Sequence, residues 1–225
     1  MQLLVKIFMT ILFLPTLTPT NSVVRGDSEI NQLWIDCHLK GVVPFDVFNT
    51  AILGYRKIDN IRKKGILTII DFSKPSTEKR FYVIDIENKR LIYRCLVAHG
   101  KNSGDIYAKD FSNKMESLKS SLGFYLTGET YKGDHGYSLR LVGLEKGIND
   151  NARVREIVIH GAEYVSEDFI RKYGRLGRSW GCPALPPELS KEIIDRISEG
   201  SCLFIYGDDK FYREHSAFLN PIYVR

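Results

Sequence analysis

From Ile66 to Tyr206 the apolar residues come in short runs of β-branched and aromatic side chains, and that punctuation limits the fold more than any other feature. The runs are ILTII (66–70), FYVIDI (81–86), LIYRCLVAH (91–99), LGFYLT (122–127), YSLRLVGL (137–144), VREIVIH (154–160) and CLFIY (202–206). Runs of this length and composition read as strands, and Glu87–Arg90 reads as a hairpin turn between the second and third. Two stretches carry the helical period instead. Over Pro44–Lys64, Phe45, Phe48, Ile52 and Tyr55 recur on one face, and Lys63-Lys64 before Gly65 mark an end. Over Pro187–Ser198, Leu189, Ile193, Ile194 and Ile197 point inward, with Gly200 beyond the end. A short amphipathic segment spans Val165–Tyr173, and residues 23–40 are mixed, with a short helical turn expected around Leu33–Cys37. Seven strands and few helices predict a mainly-β fold, a sandwich or barrel with helices at its edge.

At 225 residues there is room for one domain with a sizeable core. The expected divisions are a signal peptide (1–22), an N-terminal lead-in and helix (23–64), a catalytic domain (65–210) and a C-terminal tail (211–225). The formal net charge is +5, but Lys and Arg are scattered without a long basic run. Nucleic acid is therefore not an expected partner, while a polymer or peptide bearing free carboxylates is compatible. Residues 1–17 carry one early Lys and an apolar core from Ile7 to Leu14. That core fits a secretory signal and is too short for a membrane span, so no stable span is expected once it is removed. Cys37, Cys95, Cys182 and Cys202 show no C-x-x-C spacing, which argues against zinc ribbons and thioredoxin-like sites. Cys95 and Cys202 read as buried strand residues.

The chemistry concentrates in residues 154–185, VREIVIHGAEYVSEDFIRKYGRLGRSWGCPAL. A β-type run ends at His160-Gly161, and 22 residues after the histidine comes Cys182, set in the turn Ser179-Trp180-Gly181-Cys182-Pro183. A thiol is a good nucleophile only as a thiolate, and a nearby imidazole is a common means of making one. Gly181 permits a tight backbone, and its amide and that of Cys182 are suited to face a developing oxyanion. Pro183 stiffens the far side. A His–Cys pair alone is not specific, since a packed thiol and an unrelated imidazole have the same look. His99-Gly100 and His135-Gly136 flank other strand ends, which admits a His₃Cys zinc set, but no H-x-H or H-x-x-x-H pair supports it. No metal and no cofactor is expected.

This stretch resembles the active-site segment of the L,D-transpeptidase catalytic domain family, a strand-borne His-Gly followed by a Ser-(His)-Gly-Cys turn. It is most similar to the murein L,D-transpeptidase branch reading HGA-Y…GRLGRSWGCPAL. The likeness extends through residues 67–86, 96–104, 111–113 and 120–161, roughly 42 to 207 altogether. It implies a mainly-β L,D-transpeptidase-like sandwich or barrel with an N-terminal helix and a few edge helices. It further implies an exported, periplasmic or wall-associated cysteine acyl-transferase acting on peptidoglycan stem peptides. By position, Cys182 is the nucleophile, His160 its general base, and the Gly181 and Cys182 amides the oxyanion hole. In the family a backbone carbonyl usually orients the imidazole. Arg175 and Arg178 are candidates for stem carboxylates, with ordinary loop solvation the competing reading. Ser179, Trp180 and Gly123 complete the substrate-side set, Gly123 by allowing a strand close to the active-site rim. His99 and His135 are expected to support the site rather than react.

There are departures. Trp180 stands where better-known members have His, Ala184 where they have Arg or Asn, and the loop between His160 and the cysteine turn is longer. Two further readings therefore stay open: an L,D-carboxypeptidase using the same dyad, and a non-catalytic wall-binding module. Export is directly testable. N-terminal sequencing of the native protein should find a mature chain beginning within a few residues of Asn21; an intact Met1 on a cytoplasmic protein would contradict it.

Overall fold

A computed structural model describes residues 21–220. The expected signal peptide (1–22) falls outside the described residues except for Asn21 and Ser22, as does the end of the expected C-terminal tail. The helices are α1 (Asn21–Asp36), α2 (Phe45–Tyr55), α3 (Glu167–Tyr173), α4 (Pro187–Ile197) and α5 (Lys210–His215). The strands are β1 (Ile66–Asp71), β2 (Phe81–Asp85), β3 (Arg90–Cys95), β4 (Gly123–Gly133), β5 (Gly136–Gly143), β6 (Val158–Gly161), β7 (Ala184–Leu185) and β8 (Cys202–Tyr206).

All eight strands form one sheet in the order β3-β2-β1-β8-β4-β5-β6-β7. Only β1/β8 and β6/β7 pair in parallel. The expected hairpin joins β2 to β3, with Phe81 opposite Cys95. Every residue of β1 and β2 is buried, which is the pattern of strands covered on both faces. Helix α2 packs on β1 and β8, and α4 on β5 and β6. Phe124 of β4 and Phe204 of β8 stack with centroids 4.3 Å apart at the centre of the core.

The two edges of the sheet approach one another. Beyond β3 the chain continues to Ala98, whose N–H donates to Ala184 O of β7 at 2.9 Å. Gly100 bridges Ser179 in the same seam. The sheet is thereby nearly closed into a barrel, the mainly-β architecture expected.

Several boundaries differ from expectation. The helix expected over 44–64 ends at Tyr55. A Cβ on Gly54 would lie 2.0 Å from the Phe124 ring, so the helix end is pressed on the core, and the chain then turns until Gly65 N–H donates to the Tyr55 hydroxyl at 3.1 Å. The short helical turn expected near Leu33 is the end of the 16-residue α1. The strand expected from Val154 begins only at Val158. Residues 151–157 instead coil through Arg155 N–H to Asn151 O and Ile157 N–H to Ala152 O, with Glu156 at φ +54° and Val154 64% exposed. Strands β4 and β5 extend past a register shift at Thr127/Thr130 into a long hairpin that closes through Asp134-His135.

The Phe124–Phe204 stack gives a direct test of this core. Phe204→Ala should lower the unfolding free energy by about 3–5 kcal/mol, read from the midpoint of denaturant unfolding with an unchanged slope.

Candidate active site

Strand β6 carries His160 between two neighbours. Ser138 of β5 pairs with it on one side and Ala184 of β7 on the other. The cysteine turn feeds directly into β7, so it is held by the barrel seam. Ser179 N–H donates to His99 O at 3.0 Å, and Lys101 N–H to Ser179 O at 2.8 Å. Within the turn, the Ser179 hydroxyl donates to Cys182 O at 2.6 Å and accepts from Gly181 N–H at 3.1 Å. From outside, the Ser120 hydroxyl donates to Gly181 O at 3.0 Å. Gly181 has φ +129°, and a Cβ there would lie 2.8 Å from Lys119 O. Only glycine meets both conditions without strain.

One expectation about this turn is corrected. The Gly181 amide, expected to face an oxyanion, is spent on Ser179. The Cys182 amide makes no hydrogen bond among the described residues, which leaves it as the available backbone donor beside the thiol.

The half-buried Cys182 thiol lies against the start of β6. It accepts from Val158 N–H at 3.4 Å and donates to Glu156 O at 3.5 Å. Burial pushes the thiol above its ordinary range, while the Val158 amide and Arg155 pull it down. His160 is two residues beyond Val158 on the same strand face, roughly 6.6 Å along the chain. Its imidazole is 2% exposed, and Nδ1 donates to Gly161 O at 2.9 Å. That bond leaves Nε2 as the lone-pair nitrogen. Burial lowers the His160 pKa against the opposing Gly161 bond, and His135 lowers it further. No hydrogen bond joins the thiol and the imidazole among the described residues, the thiol being held by Val158 N–H and Glu156 O.

The loop between them is anchored at both ends of its span. Val165 and Leu176 are fully buried with Leu96, Ala98 and Ala184 in a small apolar cluster. Helix α3 begins at a Ser166 cap and ends at Gly174 in the left-handed conformation.

The remaining expected residues divide. His135, at the tip of the β4–β5 hairpin, stacks on His160 with centroids 4.5 Å apart and planes 19° from parallel. His99 is elsewhere: it is fully buried, and its Nδ1 accepts from Arg80 Nη2 at 2.7 Å. Burial and then Arg80 push its pKa down to about 3. The three histidines thus do not converge, and among the described residues no His/Cys/Asp/Glu cluster has metal-binding geometry. Arg175 and Arg178 are not free for a ligand carboxylate as expected. Both reach Asp105 Oδ1, at 2.7 and 3.3 Å, and Arg178 also donates to Gly104 O at 3.0 Å. Gly123 does make a close approach, but to Glu145 and Asn149 rather than to the active-site rim. Trp180 is 73% exposed beside the nucleophile, with Lys101 Nζ 6.0 Å from its ring centre.

Sequence reasoning missed Ser120 and Arg155. Neither belongs to the turn, and each contacts it only because residues 112–121 fold beneath it.

Comparison with known proteins places this geometry. The family model described as the L,D-transpeptidase catalytic domain matches residues 40–206. Among solved structures, an L,D-transpeptidase from Mycobacterium smegmatis is 14% identical, with a TM-score of 0.39, covering 64% of this chain and 59% of that one. The helical cell shape determining protein Pgp2 from Campylobacter jejuni is 15% identical, with a TM-score of 0.45, covering 75% of this chain and 58% of that one. The chain therefore spans about three-fifths of the length of these structures. No curated protein matches it in sequence.

The electrostatics yield a sign-definite expectation. Because burial and His135 both disfavour the imidazolium, His160 should titrate below about 6.5, the ordinary histidine value. Ring NMR across pH 4–8 reads the midpoint. In His135→Ala it should rise but stay below that value, since burial is the larger cause; a midpoint at or above it would contradict the reading.

Proposed function

The chain belongs to the L,D-transpeptidase catalytic-domain family, and from that premise we propose that it is an exported cysteine acyl-transferase acting on peptidoglycan stem peptides. The observation that carries the proposal is the placement of two groups, one on β6 and one in the turn that leads into the adjacent β7. A thiol rests in a Gly-Cys-Pro turn, and a neutral imidazole, fixed by a backbone carbonyl, stands two residues along the strand that touches it.

In this reading the lone-pair nitrogen of His160 takes the thiol proton as Sγ bonds to the carbonyl carbon of the L-centre of the stem diamino acid. The carbonyl oxygen becomes an oxyanion, and the Cys182 amide is the donor placed to receive it. One such donor is worth about 3–4 kcal/mol of transition-state stabilisation. Collapse breaks the C–N bond to the terminal D-alanine, whose amine leaves with the proton from His160. The thioester is then attacked by a stem amine, which loses its proton to His160; the C–S bond breaks, Cys182 leaves and takes that proton back, and a cross-link results. Attack by water gives the trimmed stem instead, the carboxypeptidase outcome of the same dyad.

Trp180 supports a substrate-side role through its exposure next to the nucleophile. Arg175 and Arg178 act in this proposal through Asp105, by holding the 101–108 loop against the site rather than by gripping a carboxylate. We assign residues 65–210 to the catalytic domain, because β1 to β8 lie within it and the family match overlaps most of it. Export rests on the short apolar run near the N-terminus. Among the described residues no helix is long and apolar enough to cross a membrane.

Iodoacetamide mapping should find Cys182 more reactive than Cys37, Cys95 and Cys202, which burial pushes well above the ordinary thiol range. On a defined tetrapeptide stem, Cys182→Ser should keep the fold yet release no D-alanine, and His160→Ala should lose roughly 10²–10⁴ in rate. Release at the wild-type rate by Cys182→Ser would sink the mechanism. The products separate transfer to an amine from transfer to water.

A further inference from the structure

Beneath the cysteine turn lies a cation that the proposed chemistry does not use. Arg155 is half-buried, in the coil just before β6. Its Nη1 donates to Ser112 O at 2.6 Å and to the Ser121 hydroxyl at 3.1 Å. Its Nη2 donates to Lys119 O at 2.6 Å and to the Ser117 hydroxyl at 3.1 Å. No acidic side chain among the described residues lies within ion-pair distance of it. A guanidinium withdrawn from water and bonded only to neutral oxygens keeps its charge uncompensated.

That charge lies against the cysteine turn at Gly181, the residue before the thiol. A Cβ on Gly181 would lie 3.5 Å from Arg155 Nη2 and 2.8 Å from Lys119 O, the same carbonyl that Arg155 grips. The next residue in the chain, Glu156, supplies the carbonyl that accepts the resting thiol. Arg155 thus fixes both the floor under Gly181 and the coil that parks the sulfur.

We propose that Arg155 is a positioning residue of this site: it braces the cysteine turn from below and presents the positive charge that the Cys182 thiolate faces once its proton has passed to His160. The proposal rests on Cys182 being the nucleophile. It answers a need the dyad leaves open, because burial disfavours the thiolate and the imidazole carries only part of the compensation. The other titratable or charged groups around this pair are Glu156 in the same coil, Tyr164 from the loop after β6, Tyr125 of β4 and His160 itself. Of these, only His160 can offer a positive charge, and only after it has taken the proton.

The test is the pH profile of Cys182 alkylation in wild type, Arg155→Gln and Arg155→Lys, with circular dichroism to confirm folding. Gln retains donors without charge; Lys retains charge without the fork. In Arg155→Gln the alkylation rate at pH 7 should fall roughly tenfold, with the midpoint moved up by about one pH unit. Arg155→Lys should keep the wild-type midpoint even where its melting temperature falls. A wild-type midpoint in folded Arg155→Gln overturns the proposal. So does a midpoint in Arg155→Lys raised by about one pH unit, a result that can be read even if Arg155→Gln does not fold. A wild-type Cys182 no more reactive than the other cysteines is a different failure: it removes the acyl-transferase reading itself.

Discussion

The seam between Ala98–Lys101 and Ser179–Ala184 is the constraint on which the rest of this structure depends. It joins the two ends of an eight-stranded sheet, and the cysteine turn is part of it. An ordinary surface loop bearing a reactive thiol would sample many conformations. Here the turn is hydrogen-bonded on one side to the chain leaving β3, and its continuation, β7, pairs with β6 on the other. The Cys182 turn and His160 therefore share one hydrogen-bonded frame, although a long loop separates them in sequence.

The seam is itself supported by an unusual buried pair. Arg80 is fully buried, and donates to Val97 O at 3.0 and 3.2 Å as well as to His99 Nδ1. Burial lowers the Arg80 pKa to about 9. With His99 held neutral, this network places no second full charge in the interior. What it does is fix the carbonyls of the segment that accepts Ser179. Burial acts in the same sense on the Cys182 thiol and the His160 imidazole, disfavouring the charged form of each.

Three arginines around the site illustrate how little residue type says about role. Arg175 and Arg178 sit in the motif and have the chemistry for carboxylates, yet both pair with the exposed Asp105. Arg155 sits in a coil with no motif character, yet its guanidinium lies against the cysteine turn. The difference is set by which loops fold beside which. Helix propensity and strand alternation carry no information on that.

The sequence by itself located seven of the eight strands, all but the two-residue β7, with the β2–β3 hairpin and α4, because each rests on local periodicity or on a turn within a few residues. It also marked His160 and Cys182 as the reacting pair to test, since a His-Gly at a strand end and a Gly-Cys-Pro turn are chemically conspicuous. Tertiary structure decided what local pattern cannot encode. The helix beginning at Phe45 stops at Tyr55 because Gly54 meets the Phe124 ring, a contact between residues 70 positions apart. The run VREIVIH becomes coil for half its length, where Glu156 takes φ +54° and turns its carbonyl to the thiol. The Gly181 amide is lost to Ser179, and His135 reaches His160 only because the β4–β5 hairpin is long. In each case the deciding partner is distant in the chain. Burial and hydrogen-bond satisfaction, summed over the closed sheet, outweigh the weaker local preference.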